Sequence, residues 1–141
     1  MRILVIDGQG GKVGAQLVSG IRERLPQARI TAVGTNAMAA SALRKAGADA
    51  AATGENAVLV ACRTADVIVG PVGIVIADAM FGEITPAMAC AVGQSLARKV
   101  LIPFENCNNI VVGAEGMGVS ALLKKAVEAV ASLAAKESLA N

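Results

Sequence analysis

Residues 2–14 read RILVIDGQGGKVG, an apolar run that passes directly into a loop with four glycines. The near-continuous apolar run at residues 2–6 is typical of a parallel strand buried on both faces. Apolar residues then recur at helical spacing from residue 13 to residue 25, with charged residues between them. A strand, a glycine loop and a helix in this order predict an α/β domain with a mainly parallel sheet.

The glycine loop is typical of an anion site, because main-chain N–H groups and a helix N-terminus meet there. Its spacing departs from G-x-G-x-x-G. Val13 follows Lys12 where a P-loop needs Ser or Thr for Mg²⁺, which excludes a P-loop NTPase. A tight strand-to-helix turn is the structural alternative, and Asp7 either braces the loop or faces a ligand hydroxyl. The residues assigned to the ligand are Asp7, Gly8, Gln9, Gly10, Gly11, Lys12 and Gly14.

Strands and helices alternate along the rest of the chain. Further strands are predicted at 29–33, 49–52, 66–69, 99–103 and 109–112, with helices at 37–46, 56–62, 74–81, 85–98 and 119–136. No linker or repeat interrupts the pattern. The sequence therefore predicts one Rossmann-like domain over residues 1–141. We expect a three-layer α/β/α sandwich with a mainly parallel sheet of five or six strands in an order near 3-2-1-4-5.

Ligands of such sheets bind outside the carboxyl ends of the strands, which selects three more loops. Thr35 and Asn36 are assigned to the ribose end of a nucleotide. An NAD site usually has a carboxylate there. Asn36, 22 residues after Gly14 (36 − 14), is uncharged and favours NADP or an unphosphorylated mononucleotide, although the interpretation as a helix N-cap is slightly preferred. The rest of the predicted site is lined by Gly70, Pro71, Gly73, Asn106 and Asn108, with a rigid turn as the preferred alternative for residues 70–73.

Reactive side chains are few, because the sequence has no His, Tyr or Trp. A Ser-His-Asp triad and a His-ligated zinc are thus excluded within this sequence. Cys107 and Glu55 are weak catalytic candidates. An inert loop cysteine and a first-turn helix acid are the alternatives. Cys62 and Cys90 are predicted to be core-facing helix residues; no CxxC pair occurs, and no metal is expected.

Composition limits the partners. The net charge of +2 arises from 13 basic and 11 acidic residues without a basic block, which disfavours nucleic acid. The apolar stretch 67–81 is broken by Pro71 and Asp78 and is shorter than the ~20 residues of a membrane span. We expect a cytoplasmic protein without a signal peptide. The apolar segments 74–81 and 88–97 are predicted to form the surface of a homo-oligomer.

Four segments in order carry a resemblance to a known family: VIDGQGGKVG, AVGTNAMAASALRKAGADAAATGENAV, ADVIVGPVGIVIADAMFGEITPAMA and VLIPFENCNNIVVG. Together they resemble a small bacterial family described as domain of unknown function 3842, over nearly residues 1–113. The resemblance implies a stand-alone Rossmann-like protein, mostly of anaerobic Gram-positive bacteria. It brings no established activity and no catalytic residue.

The leading functional hypothesis is a small nucleotide-binding protein that holds NAD(P) or a related phosphate-bearing ligand in the loop from Gly8 to Gly14. A non-catalytic oligomeric accessory protein with a purely structural glycine loop is the alternative. A thiol-dependent enzyme that uses Cys107 is the third. The sequence leaves open whether a reaction takes place at all.

Overall fold

The computed structural model describes residues 1–104 and 108–141. The strands are β1 (Arg2–Asp7), β2 (Arg29–Gly34), β3 (Ala50–Thr53), β4 (Val67–Pro71) and β5 (Arg98–Ile102). The helices are α1 (Lys12–Arg24), α2 (Ala37–Lys45), α3 (Glu55–Ala61), α4 (Pro86–Gln94) and α5 (Val119–Ala140), with a 3₁₀ turn at Val72–Val75.

The five strands form one parallel sheet in the order β3-β2-β1-β4-β5, which confirms the predicted α/β fold and strand order. Ile3 and Val5 of β1 pack in one apolar cluster with α1, α2 and α5. Leu4 and Ile6 alternate with them and pack in a second cluster with α3 and α4. The sheet is therefore covered on both faces, and the winding reverses between β1 and β4, because the chain crosses from β3 to the opposite side of β1.

Two helix starts follow the local signals in the sequence. The Asn36 side chain accepts a hydrogen bond from Ala39 N (2.9 Å) and caps α2, which confirms the N-cap interpretation. Thr85 caps α4 by accepting from Met88 N, with Pro86 at the first helical position. Both caps depend on residues three apart, so the sequence reveals them directly.

The predicted buried helix at 74–81 is wrong. Only Val72–Val75 form a 3₁₀ turn, and the chain then passes through residues 76–85, which we call the β4–α4 loop. Asp78, Met80 and Phe81 have positive φ angles (65°, 58° and 55°), which no helix contains. Ile84 is fully buried and anchors the loop, whereas Phe81 is fully exposed. The apolar run at residues 74–81 thus forms part of a folded loop and not a helix.

Three further predictions need correction. Residues 109–112 are not a strand: Ile110 and Val112 are exposed at the start of a turn. α4 ends at Gln94 and not at residue 98, because Ser95 has a non-helical ψ of 141° and Arg98 already pairs with β4. Cys90 is exposed and not core-facing, whereas Cys62 is buried. No helix in the described part of the chain is both long and apolar enough to cross a membrane.

Candidate functional site

The glycine loop joins β1 to α1 and is braced by Asp7. The Asp7 carboxylate accepts two main-chain hydrogen bonds, Oδ1 from Gly8 N (2.8 Å) and Oδ2 from Gly14 N (2.6 Å). Gly11 N donates to Gly8 O (2.9 Å), and Gly11 adopts a left-handed φ of 73° that favours glycine. Asp7 therefore holds both ends of the turn, in agreement with its interpretation as a brace.

Asp7 is a buried acid, with 5% of its surface exposed. Burial raises the pKa of Asp7 above its ordinary range, the N–H groups of Gly14 and Gly8 oppose this, and the nearby Glu83 carboxylate adds a smaller upward shift. The side chain is thus a structural acceptor whose charge is costly, and both its oxygens are already occupied by main-chain donors.

Other N–H groups of the loop remain open. The N–H groups of Gly10, Lys12 and Val13 have no acceptor within residues 1–104 and 108–141. Gly11 caps α1 without a side-chain hydrogen bond. A Cβ built on Gly10 would meet nothing within 4 Å. These donors lie at the positive end of a helix of 13 residues, and the space beside Gly10 is open, which is what an anion requires.

Two of the glycines assigned to the ligand have packing roles. A Cβ on Gly14 would lie 2.5 Å from Leu43 Cδ2 and 2.7 Å from Asp7 Cβ, so this glycine allows α1 to approach its neighbours closely. A Cβ on Gly8 would lie 2.7 Å from both Met80 Sδ and Thr35 Oγ1. Gly8 is therefore covered by the β4–α4 loop, and Gly10 is the glycine with open space above it.

The β4–α4 loop delivers a carboxylate to the end of β2. Glu83 Oε1 accepts from Thr35 Oγ1 (2.8 Å), Asn36 Nδ2 (2.7 Å) and Gln9 N (3.2 Å). Burial would raise the pKa of Glu83, but the hydrogen bonds from Asn36, Thr35 and Gln9 outweigh it and hold the pKa below its usual range. Sequence reasoning missed Glu83, since it is 47 residues from Asn36 and no local pattern marks it.

A cleft of about 610 Å³ opens beside the loop, at the carboxyl ends of β1 and β4. It lies at the point where the winding of the sheet reverses, as expected for ligand sites in this fold. Of the residues predicted from sequence, Asp7, Gly8, Gln9, Pro71 and Asn108 line it. The other lining residues are Val13, Asp78, Ala79, Met80, Phe81 and Phe104.

The remaining candidates lie elsewhere. A Cβ on Gly70 would collide with the main-chain oxygen of Ile6, so Gly70 permits the close pairing of β4 with β1. Gly73 is buried in the 3₁₀ turn. Glu55 is in the first turn of α3 and accepts a hydrogen bond from the Thr85 hydroxyl (2.5 Å), which fits its interpretation as a helix acid. Asn106 and Cys107 lie outside the described residues.

Among the residues that the structure describes, the other reactive groups form no second centre. Burial raises the pKa of the Cys62 thiol, and the nearby Lys99 opposes this, so Cys62 has little thiolate character. Among the described residues, no three His, Cys, Asp or Glu side chains are placed to hold a metal ion.

Comparison with known proteins places the chain in a family and supports its fold. Residues 2–135 match the family model described as domain of unknown function (DUF3842). No curated protein matches the chain. Among solved structures, a dodecameric FMN-dependent UbiX-like decarboxylase from Escherichia coli O157:H7 is similar, with a TM-score of 0.53 and 18% identity over 94% of this chain and 93% of that one. AibC has a TM-score of 0.47 and 22% identity over 93% of this chain and 38% of its own.

Proposed function

We propose that this chain, which belongs to the DUF3842 family, is a small nucleotide-binding protein that holds NAD(P), FMN or a related ligand by its phosphate. The observation that carries the proposal is the set of open N–H groups at Gly10, Lys12 and Val13, next to unfilled space above Gly10. A phosphate there accepts main-chain hydrogen bonds and gains from the dipole of α1.

The charges of the cleft favour one orientation of the ligand. Asp7 and Asp78 line the cleft, so a phosphate inside it would face carboxylates. The phosphate therefore binds at the helix end, where the exposed Lys12 adds positive charge. The uncharged ring of the ligand then enters the cleft against Pro71, Met80 and Phe104.

The likeness to the FMN-dependent decarboxylase supports the choice of ligand class. That protein has the same fold over nearly its whole length, and its cofactor is a nucleotide-type molecule with a single phosphate. FMN therefore stands beside NAD⁺ and NADP⁺ in the panel of ligands to be tested.

The test is a thermal-shift series with FMN, NAD⁺, NADP⁺, AMP and orthophosphate. A ligand at about 100 times its Kd adds about 2.7 kcal/mol of stability, which raises Tm by several degrees. Gly10→Asp places a carboxylate in the open space and should abolish the shift. Gly118→Asp is the matched control, because Gly118 lies at the N-terminus of α5, also has nothing within 4 Å of a Cβ, and faces a different groove.

Binding unchanged in Gly10→Asp, or lost equally in Gly118→Asp, would contradict the assignment of the phosphate to this loop. Absence of a shift with every member of the panel would contradict the proposed function as a whole.

We also propose that the chain forms a homo-oligomer, through part of the surface predicted from sequence. Segment 74–81 is not a helix, and Met88, Ala89 and Val92 of α4 are buried in the core. Large apolar side chains are nevertheless exposed at Phe81 (100%) within segment 74–81, and also at Val112 (88%). Light scattering after size exclusion should give a multiple of 14.1 kDa, and a monomer at micromolar concentration would refute this proposal.

A further inference from the structure

Glu83 is placed where a nucleotide-binding α/β domain usually has the acid that holds a ribose. In such domains a carboxylate at the end of the second strand accepts the ribose 2′-hydroxyl. Here β2 ends at Gly34 and is followed by Thr35 and Asn36, which carry no charge. The carboxylate that reaches this place comes from the β4–α4 loop, and Thr35 and Asn36 hold it there.

One oxygen of this carboxylate is left for a ligand. Oε1 takes all three hydrogen bonds, from Thr35, Asn36 and Gln9. Oε2 has no partner among the described residues. No buried side-chain oxygen or nitrogen in this part of the chain lacks a partner, so Oε2 is accessible to solvent. It lies beside the glycine loop, because the same carboxylate contacts Gln9 N at 3.2 Å.

The position of Glu83 is determined from both sides of its loop. Asp78 N donates to Ile84 O (2.8 Å), and Ile84 N donates to Ala79 O (3.1 Å), which closes the loop on itself. Met80 packs against Gly8, and Ile84 is fully buried. Left-handed φ angles at Asp78, Met80 and Phe81 are strained for these residues and persist only where the surroundings fix them. The carboxylate is thus a preorganised acceptor.

We propose that Glu83 is a specificity-determining residue that accepts the ribose hydroxyls of the ligand and rejects a ribose with a 2′-phosphate. The inference rests on the proposed function and narrows its ligand class from NAD(P), FMN and related ligands to nucleotides with a free ribose diol, such as NAD⁺ and AMP. A hydroxyl donates to Oε2, whereas a 2′-phosphate would bring a second anion against a carboxylate held in its charged form. This reverses the preference for NADP that the uncharged Asn36 suggested.

The test compares the Kd values of NAD⁺ and NADP⁺ by calorimetry for the wild type, Glu83→Gln and Glu23→Gln. In Glu83→Gln the new amide keeps an oxygen that accepts from Thr35 and Asn36, but the charge is lost. Glu23 is an exposed residue of α1 that lines a different groove and gives a charge-matched control. We expect the wild type to bind NAD⁺ at least about tenfold more tightly than NADP⁺, and Glu83→Gln to remove most of this difference. Glu23→Gln should keep it.

The outcomes separate the two proposals. A wild type that binds NADP⁺ as tightly as NAD⁺, or a ratio that Glu83→Gln leaves unchanged, overturns the role of Glu83 while nucleotide binding stands. Binding of orthophosphate at the glycine loop without any affinity for NAD⁺ or AMP also overturns the role of Glu83, because the carboxylate would then exclude the ribose from its side of the site. If nothing binds, both proposals fail.

Discussion

Alanine substitutions at Gly10 of the glycine loop and at Gly14 at the start of α1 should have opposite effects on stability. A Cβ at Gly14 would lie 2.5 Å from Leu43 Cδ2 and 2.7 Å from Asp7 Cβ, and overpacking of this kind costs about 1–3 kcal/mol. Gly14 is the third residue of α1, where alanine recovers about 0.5–1 kcal/mol over glycine. Gly14→Ala should therefore lower the free energy of unfolding by about 1 kcal/mol.

At Gly10 we expect alanine to raise the free energy of unfolding. Nothing lies within 4 Å of the added Cβ, and its φ is not left-handed. Gly10→Ala loses no native contact and reduces the entropy of the unfolded chain, which stabilises by about 0.4–1 kcal/mol. For 141 residues, an unfolding entropy of about 2.1 cal/mol/K per residue makes 1 kcal/mol equal to about 3 °C in Tm.

Scanning calorimetry and urea unfolding of both variants at neutral pH measure these differences. Gly14→Ala should melt about 3 °C below the wild type and Gly10→Ala about 2 °C above it. A Gly14→Ala variant as stable as the wild type would refute the close packing of α1 against Asp7 and Leu43. A Gly10→Ala variant destabilised by about 1 kcal/mol would show that the space above Gly10 is filled.

Two further predictions concern the network around the glycine loop, and a third concerns the two cysteines that the structure describes. Because burial raises the pKa of Asp7, the stability that its protonated form contributes is lost as the pH rises through the folded pKa. The unfolding free energy of the wild type minus that of Asp7→Asn should therefore grow as the pH falls from about 7 to about 4. A difference that does not change with pH would contradict the raised pKa. Asn36→Asp keeps the cap of α2 but loses the donor to Glu83 and places a second carboxylate beside it. We expect urea unfolding to show a loss of about 1–2 kcal/mol, which becomes smaller when Glu83→Gln is combined with it. Additive effects of the two substitutions would argue against the contact. In a Cys107→Ser background, a thiol reagent should label Cys90 in the native protein and Cys62 only on unfolding, whereas equal labelling rates would contradict the burial of Cys62.

The fold could be predicted from sequence because its determinants are local. Each local feature depends on residues a few positions apart, as in the apolar strands, the Asn36 cap and the Thr85–Pro86 helix start. The rules for connections between parallel strands then restrict the strand order. The helix predicted at 74–81 is wrong because an apolar run fits a buried helix and a folded loop equally well. The loop is selected by contacts that form only in the folded chain, among them the burial of Ile84 and the contacts of Met80 with Gly8 and of Glu83 with Asn36.

The location of the candidate site could be predicted from the sequence, but its hydrogen bonds could not. The loop from Asp7 to Gly14 stands out by its glycines, and the sheet rule locates it at the ligand end. Which of its amides are open depends on three acceptors. Asp7 takes Gly8 N and Gly14 N, Glu83 takes Gln9 N, and Gly8 O takes Gly11 N. This leaves the amides of Gly10, Lys12 and Val13 open. Glu83 reaches the site through tertiary folding, so no spacing rule in the sequence could have identified it.

The most direct test of the central claim is an amide NMR titration of the ¹⁵N-labelled protein with orthophosphate and then with the best ligand of the panel. The account predicts saturable shifts at the amides of Gly10, Lys12 and Val13, and a smaller change at Gly14, whose N–H is held by Asp7. Shifts confined to the groove between α1 and α5, around Gly20 and Leu123, or no shifts at all, would contradict the claim that the glycine loop holds a phosphate.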